Sequence, residues 1–171
     1  MKSIDLASFN GKIALVRVDY NVPQNENLEV TNKTRIVRTK ETIQKIVNDN
    51  GIVILMSHLG RPKGEQNDTY SLRHIVSAVS ETLGKEVIFL GDVLSEDIKD
   101  KVSKLKSGDI ALLENLRFHK EEEKGDENFA KSIANLGDLY VNDAFGTAHR
   151  EHASTATIVK FFPGQAYAGY L

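Results

Sequence analysis

Arginine and histidine in short segments that end strands carry the clearest chemistry in this chain. Five of its seven arginines, Arg17, Arg35, Arg61, Arg117 and Arg150, follow an expected strand or open a helix. Guanidinium groups grip phosphate and carboxylate through paired hydrogen bonds. In an open α/β sheet the loops after the strands share one rim, and ligands bind there. Arginines converging on that rim would make a pocket for an anion.

Each segment alone leaves a choice. Arg17-Val18-Asp19-Tyr20-Asn21 offers a cation, an acceptor and an amide at alternate positions, placed on one side by strand alternation; an Arg17–Asp19 ion pair closing a turn before Pro23 fits this segment slightly better, structural ion pairs being common. Ser57-His58-Leu59-Gly60-Arg61-Pro62-Lys63-Gly64 joins two cations and a histidine to two glycines that let backbone approach a ligand. Glu114-Asn115-Leu116-Arg117-Phe118-His119 sets Arg117 either toward a ligand or into a structural pair, and the following Lys120 to Lys124 reads as a solvated charge run. The segment from Val141 to Ser154 is the densest in polar groups, with Asn142, Asp143, His149, Arg150 and His152. A metal site using His58, Asp143, His149 and His152 is disfavoured by the arginine between the histidines, which would repel a cation. No GxxxxGK[ST] loop and no G-x-S-x-G elbow occurs. Four of the five strand ends carry Arg and three of those also carry His, so the joint pattern favours an anion site over coincidence. Only Gly91-Asp92-Val93 lacks both, which places its strand at a sheet edge.

The elements that must position these groups alternate. Near-continuous apolar runs at Lys12–Val18, Ile52–Met56, Glu86–Leu90, Asp109–Leu113 and Asp138–Asn142 read as strands covered on both faces. Helical patterns lie over Arg35–Asn48, Leu72–Leu83, Glu96–Leu105 and Glu127–Leu136, with Ser71, Ser95 and Asp126 as caps and Gly51, Gly84, Gly108 and Gly137 near the stops. This order predicts an α/β fold, a Rossmann-like three-layer sandwich with a mainly parallel sheet flanked by helices. Gln24–Asn32 is a polar loop with room for a small hairpin.

A chain of 171 residues suffices for one domain with its own core, burying roughly 70% of its unfolded surface. A formal charge of −2 argues against a surface that wraps nucleic acid, so any positive site is local. The absence of Cys excludes disulfides and thiolate catalysis and favours an intracellular, cytoplasmic home. No secretory signal is visible and no apolar run is long enough to span a bilayer. The apolar tail from Phe161 to Leu171 lacks a polar end; it reads as leading into something further, or as folding back on its own domain.

RVDYNVP (Arg17–Pro23), SHLGRPKG (Ser57–Gly64), LLENLRFHKEEE (Leu112–Glu123) and YVNDAFGTAHREHAS (Tyr140–Ser154) closely resemble phosphoglycerate kinase, in that family's order and spacing. The resemblance covers essentially the whole chain and corresponds to the family's N-terminal domain. It implies residues 1–160 as the triose-binding domain and 161–171 as the start of an interdomain connection. It implies phosphoryl transfer between 1,3-bisphosphoglycerate and ADP. Asp19 and Asn21 match residues at the carboxyl and hydroxyl of the triose. His58, Leu59, Gly60, Arg61, Arg117 and Arg150 match the surroundings of its fixed phosphate. Arg35 matches the arginine at the transferring phosphoryl, the one catalytic assignment. Arg17, His149 and His152 match a basic surface. Mg2+ with ATP or ADP would belong to a C-terminal domain absent from these residues, leaving no cofactor or metal on this chain. The implied partners are 3-phosphoglycerate or 1,3-bisphosphoglycerate and that C-terminal domain, with no nucleic acid, no membrane and a monomeric state. A stand-alone module that binds a phospho-acid without chemistry is the alternative.

Overall fold

A computed structural model describes residues 1–144 and 151–171. In chain order the strands and α-helices are β1 (Lys2–Ser3), β2 (Ile13–Val18), α1 (Thr34–Val37), α2 (Lys40–Asn48), β3 (Ile52–Met56), α3 (Val76–Leu83), β4 (Val87–Gly91), α4 (Ile98–Ser103), β5 (Ile110–Leu113), α5 (Glu127–Ala134), β6 (Leu139–Asp143) and β7 (Ala166–Ala168). The seven strands form one sheet in the order β1-β7-β6-β2-β3-β5-β4, and every pairing is parallel. The expected α/β architecture is therefore present, with the parallel character extending to the whole sheet. Strand β4 lies at the edge, as its cation-free loop implied.

Alternation along the strands sorts side chains onto two covered faces. Ala14, Val16 and Val18 of β2 join Val53, Leu55, Ile110, Leu112 and Val141 against Ile36, Ile43 and Ile46. Leu15, Ile54, Met56, Ala111, Leu113 and Tyr140 face Ile98, Val102, Phe129 and Ile133 on the other side. Both faces are dry, which is why these strands are apolar throughout rather than alternating.

Several elements differ from expectation. The helix expected over Arg35–Asn48 is interrupted between α1 and α2. There the buried Thr39 turns its hydroxyl back to the Ile36 carbonyl at 2.7 Å and meets the Tyr20 hydroxyl at 2.7 Å. Such local bonding competes with a continuous helix. The helix expected from Glu96 shortens to α4, because Ser95 donates to the Asp97 carboxylate instead of capping. Ser71 and Asp126 do cap, accepting from the Arg73 and Phe129 amides. Strands β1 and β7 went unforeseen: two or three residues each, they join through backbone pairing that no side-chain period announces. The apolar tail thus folds back far enough for Ala166–Ala168 to pair between β6 and β1. Gln24 and Val30 form an antiparallel bridge, the small hairpin foreseen in that loop.

Candidate functional site

The site is built where the parallel strands end. Two neighbouring central strands, β2 and β6, send the chain in opposite directions. After β2 it enters α1 and α2 on the Ile36 face, and after β6 it reaches Ile158 on the Phe129 face. A crevice outside the carboxyl ends of such strands is where open sheets bind ligands.

The loops after β2, β3 and β5 are stitched to one another. The Tyr20 amide donates to Ser57 Oγ at 2.9 Å, and the Gly60 amide to Asn21 Oδ1 at 2.8 Å. Asn115 Nδ2 donates to the carbonyls of Leu59 at 2.7 Å and Tyr70 at 2.9 Å, while its Oδ1 accepts from the Arg117 amide at 3.0 Å. The Gly64 amide donates to the Arg117 carbonyl at 3.1 Å. Glu114 is buried and accepts from Ser71 Oγ at 2.7 Å and from the Leu72 amide at 2.8 Å. The loops after β2, β3 and β5 are thereby anchored to one another and to the segment at Tyr70–Leu72.

Asp19, Asn21 and Arg35 form one cluster. Arg35 Nη1 donates to Asp19 Oδ1 at 3.2 Å and to the Asn21 carbonyl at 2.7 Å, and its side chain is 46% exposed. Asp19 thus pairs with Arg35 and not with Arg17, because alternation ends with β2 at Val18 and the chain turns toward α1. With Asn21 Oδ1 engaged by Gly60, the amide nitrogen is what Asn21 has to offer a ligand.

Arg17 requires the largest correction. It was expected on a basic surface, yet it is fully buried on the Leu15 face of β2. Its Nε donates to Ser154 Oγ at 2.8 Å, Nη1 donates to the Val18 carbonyl, and Nη2 lies 3.3 Å from His58 Nδ1. His152 is buried too, with Nδ1 lacking a partner among the described residues. Burial pushes its pKa below the usual imidazole range, with the nearby Glu122 opposing and Arg117 assisting that shift. His149 and Arg150 lie outside the described residues.

Arg117 sits in a 3-10 turn, Leu116–Phe118, and is buried at the same rim. Arg61 follows Gly60 and is exposed. Leu59 and Gly60 serve the scaffold through their backbone groups. Gly60 has φ +63° and a Cβ there would lie 2.4 Å from the Tyr70 ring, so any side chain at this position would meet that ring. Gly64 likewise packs on Lys120.

Two partners escaped sequence reasoning. Glu122, read within a solvated run, is fully buried and accepts from the Ser154 amide at 2.9 Å and from Ser154 Oγ. Nothing in Lys120–Lys124 distinguishes it from Glu121 and Glu123. Thr42 Oγ1 donates to Asp143 Oδ1 at 2.9 Å, and burial raises the Asp143 pKa to about 6.

Among the described residues no three His, Asp or Glu side chains come together to hold a metal ion, and no helix is long and apolar enough to cross a membrane. A cavity of about 430 Å³ exists at the opposite end of the sheet, lined by Gly11, Ile13, Ile52, Lys99 and Asp138. The arginine-bearing loops are not there.

The family model for phosphoglycerate kinase matches residues 4–171. The chain belongs to the phosphoglycerate kinase family. Among curated relatives, phosphoglycerate kinase of Chloroherpeton thalassium is 49% identical over 170 residues, covering 99% of this chain and 42% of its own length. That of Borrelia turicatae is 48% identical over 171 residues, covering all of this chain and 43% of its own. The chain thus spans less than half the length of these family members. Among solved structures, phosphoglycerate kinase from Coxiella burnetii superposes with a TM-score of 0.86 at 35% identity, over 99% of this chain and 41% of that one. The enzyme from Pyrococcus horikoshii gives 0.89 at 29% identity, over 100% and 43%. The parallel α/β fold read from the sequence is therefore a family property.

Proposed function

We propose that this chain is the substrate-binding half of a phosphoglycerate kinase, holding 3-phosphoglycerate or 1,3-bisphosphoglycerate on the strand-end rim. The observation that carries the reading is the mutual anchoring of the β2, β3 and β5 loops, which gathers Asp19, Asn21, Arg35, His58 and Arg117 at one end of the sheet. The exposed Arg35–Asp19 pair is available for exchange, since an incoming phosphoryl group can take the guanidinium's donors. Asp19 and Asn21 would then address the hydroxyl and carboxyl of the triose. His58, Arg61, Arg117 and Arg150, with the loop backbone at Leu59 and Gly60, would surround its fixed phosphate. Arg35 is assigned the transferring phosphoryl, where a cation stabilises charge that develops during transfer.

Residues 1–160 would form this half, with 161–171 opening the connection to a C-terminal domain after pairing through β7. ATP or ADP with Mg2+ would be held by that second domain, and a cytoplasmic monomer is the expected setting. No step of the transfer is assigned to a metal on these residues. Calorimetric titration tests the reading: heat with 3-phosphoglycerate and none with MgATP supports it. ATP binding without a response to the triose overturns it.

A further inference from the structure

We propose that Glu122, Ser154 and Arg17 act as a buried relay that fixes His58 as the neutral tautomer protonated on Nε2. His58 then stands at the rim as a neutral imidazole rather than as another cation. The proposal rests on reading the rim as a phospho-acid site, but its first test does not.

The argument begins with donor chemistry. A guanidinium is always charged and only donates. Arg17 Nη2 lies 3.3 Å from His58 Nδ1, so Nδ1 must accept with its lone pair. A proton on Nδ1 would set N–H against N–H and, in the imidazolium, cation against cation. The ring hydrogen therefore resides on Nε2, as the bond made by one ring nitrogen dictates the state of the other.

Arg17 has no freedom to relax away from this contact. Its Nε donates to Ser154 Oγ at 2.8 Å and its Nη1 to the Val18 carbonyl, and the side chain is fully buried. Ser154 accepts from Arg17, so its own hydrogen points elsewhere, to the Glu122 carboxylate. The Ser154 amide donates to the same carboxylate at 2.9 Å, and the Tyr140 hydroxyl donates to the Ser154 carbonyl at 2.7 Å. Glu122 is held by its backbone as well, accepting from the Ala153 amide at 2.8 Å and donating to the His119 carbonyl at 3.1 Å. A buried cation and a buried carboxylate are thus joined through one hydroxyl, so each compensates the other's desolvation. The charged groups packed about this relay include Arg117 from the turn after β5, Glu123 beside Glu122, and the buried His152; Arg17, Arg117, Glu122 and Glu123 all act on His152.

The relay makes Glu122, Ser154 and Arg17 positioning residues. A rim already holding several arginines gains little from one more charge, whereas a fixed Nε2–H adds direction. Long-range 1H–15N correlation spectra of the labelled chain read the tautomer directly, with His58 assigned from a His58→Gln spectrum. The expected pattern is the neutral Nε2–H form, persisting at pH about 6, where an unperturbed imidazole of pKa about 6.5 is mostly charged. An Nδ1–H or imidazolium pattern for His58 at neutral pH overturns the proposal in the wild-type chain, with no variant needed. Ser154→Ala is expected to convert the single-tautomer pattern to an averaged one and Ser154→Thr to restore it; an unchanged pattern in folded Ser154→Ala removes the relay. Glu122→Gln takes its place if Ser154→Ala does not fold. Adding 3-phosphoglycerate should move the Nε2 resonance and leave Nδ1 in place. Absence of any triose response, with the Nε2–H pattern intact, would sink the binding reading and spare the tautomer. An Nδ1–H pattern with normal triose binding would do the reverse.

Discussion

Arg117 and Arg73 carry the same charge in unlike settings. Arg117 is buried at the rim, whereas Arg73 is half-exposed on the segment before α3 and grips Asp68 through Nε and Nη2. Arg117→Ala is expected to weaken 3-phosphoglycerate binding by ~1.5–3 kcal/mol, the cost of a lost charged hydrogen bond, and Arg73→Ala to leave it unchanged. Calorimetry beside thermal melts checks this, and equal losses at both sites would contradict the rim assignment. A second residue-scale expectation concerns Asp143. Burial raises its pKa to about 6, above the carboxylate's usual value, so the folded state binds a proton that the unfolded chain has already released. Its contribution to stability is present below about pH 4 and is lost as pH rises through about 6. Integrated over that window the loss is about 3 kcal/mol. Asp143→Asn keeps an acceptor for Thr42 and cannot ionise, so its stability relative to wild type should rise between pH about 4 and 7. A pH-independent difference would show that Asp143 does not titrate in that range. Residue types at the rim were legible because arginine at a strand end is unusual. Their partners were not, because Arg17–Ser154 spans 137 positions of sequence and Glu122 hides in a run of like residues.

At the scale of elements, the apolar strands and the main helix regions were readable because both sheet faces are covered and several caps have side-chain signatures. The break between α1 and α2 was not, since it depends on Thr39 meeting Tyr20 from another element. The rim loops gain their shape from such contacts, and Gly60 is the clearest case. A Cβ there would stand 2.4 and 2.5 Å from two Tyr70 ring atoms at a φ that side chains rarely adopt. Gly60→Ala should cost ~1–3 kcal/mol and displace the Asn21 contact, read as a lowered melting temperature and weakened triose binding together. Retained stability would mean that the turn tolerates the ring's displacement. The loop after β5 has a different brace. His119 Nε2 lies 2.7 Å from Asp92 Oδ2 on the edge-strand loop. The Asp92 bond raises the His119 pKa against the opposing effect of burial. For Asp92, burial works upward, and the His119 and Leu94 bonds outweigh it to hold the carboxyl below its usual value. The histidine's contribution is full below about pH 6.5 and disappears as pH rises through its elevated folded pKa. The aspartate's is full above about pH 4 and disappears as pH falls through its depressed one. His119→Gln should therefore lose most stability near pH about 5 and least in alkaline solution, with a magnitude within ~1 kcal/mol for a partly exposed pair. A loss that grows with pH would contradict the charged pair.

At the scale of the molecule, 171 residues span a little over two-fifths of the length of the curated family members they match. In-line phosphoryl transfer needs a donor and an acceptor oxygen aligned, with charge on the nucleotide neutralised. On the proposed reading these residues supply the acceptor side only, and a rim facing bulk water keeps its electrostatics weak. The isolated chain should bind 3-phosphoglycerate with an affinity that falls as salt rises, because the exposed part of the attraction is screened over ~8–10 Å. It should show no phosphoryl transfer. Joined to a family C-terminal domain, the same rim should turn over, and Arg35 then becomes the decisive test. In the structure Arg35 is the exposed arginine of its cluster, held among the described residues by Asp19 and the Asn21 carbonyl, and so can follow a moving phosphoryl group in a way the buried Arg17 cannot. An interaction made chiefly in the transition state lowers kcat and kcat/KM together. Arg35→Ala in the joined enzyme should therefore reduce kcat far more than it raises KM. A change confined to KM would make Arg35 a ground-state binder alongside Arg117. Turnover by the isolated chain would be the graver result, since it would require on these residues a nucleotide site that the proposed reading gives to a C-terminal domain.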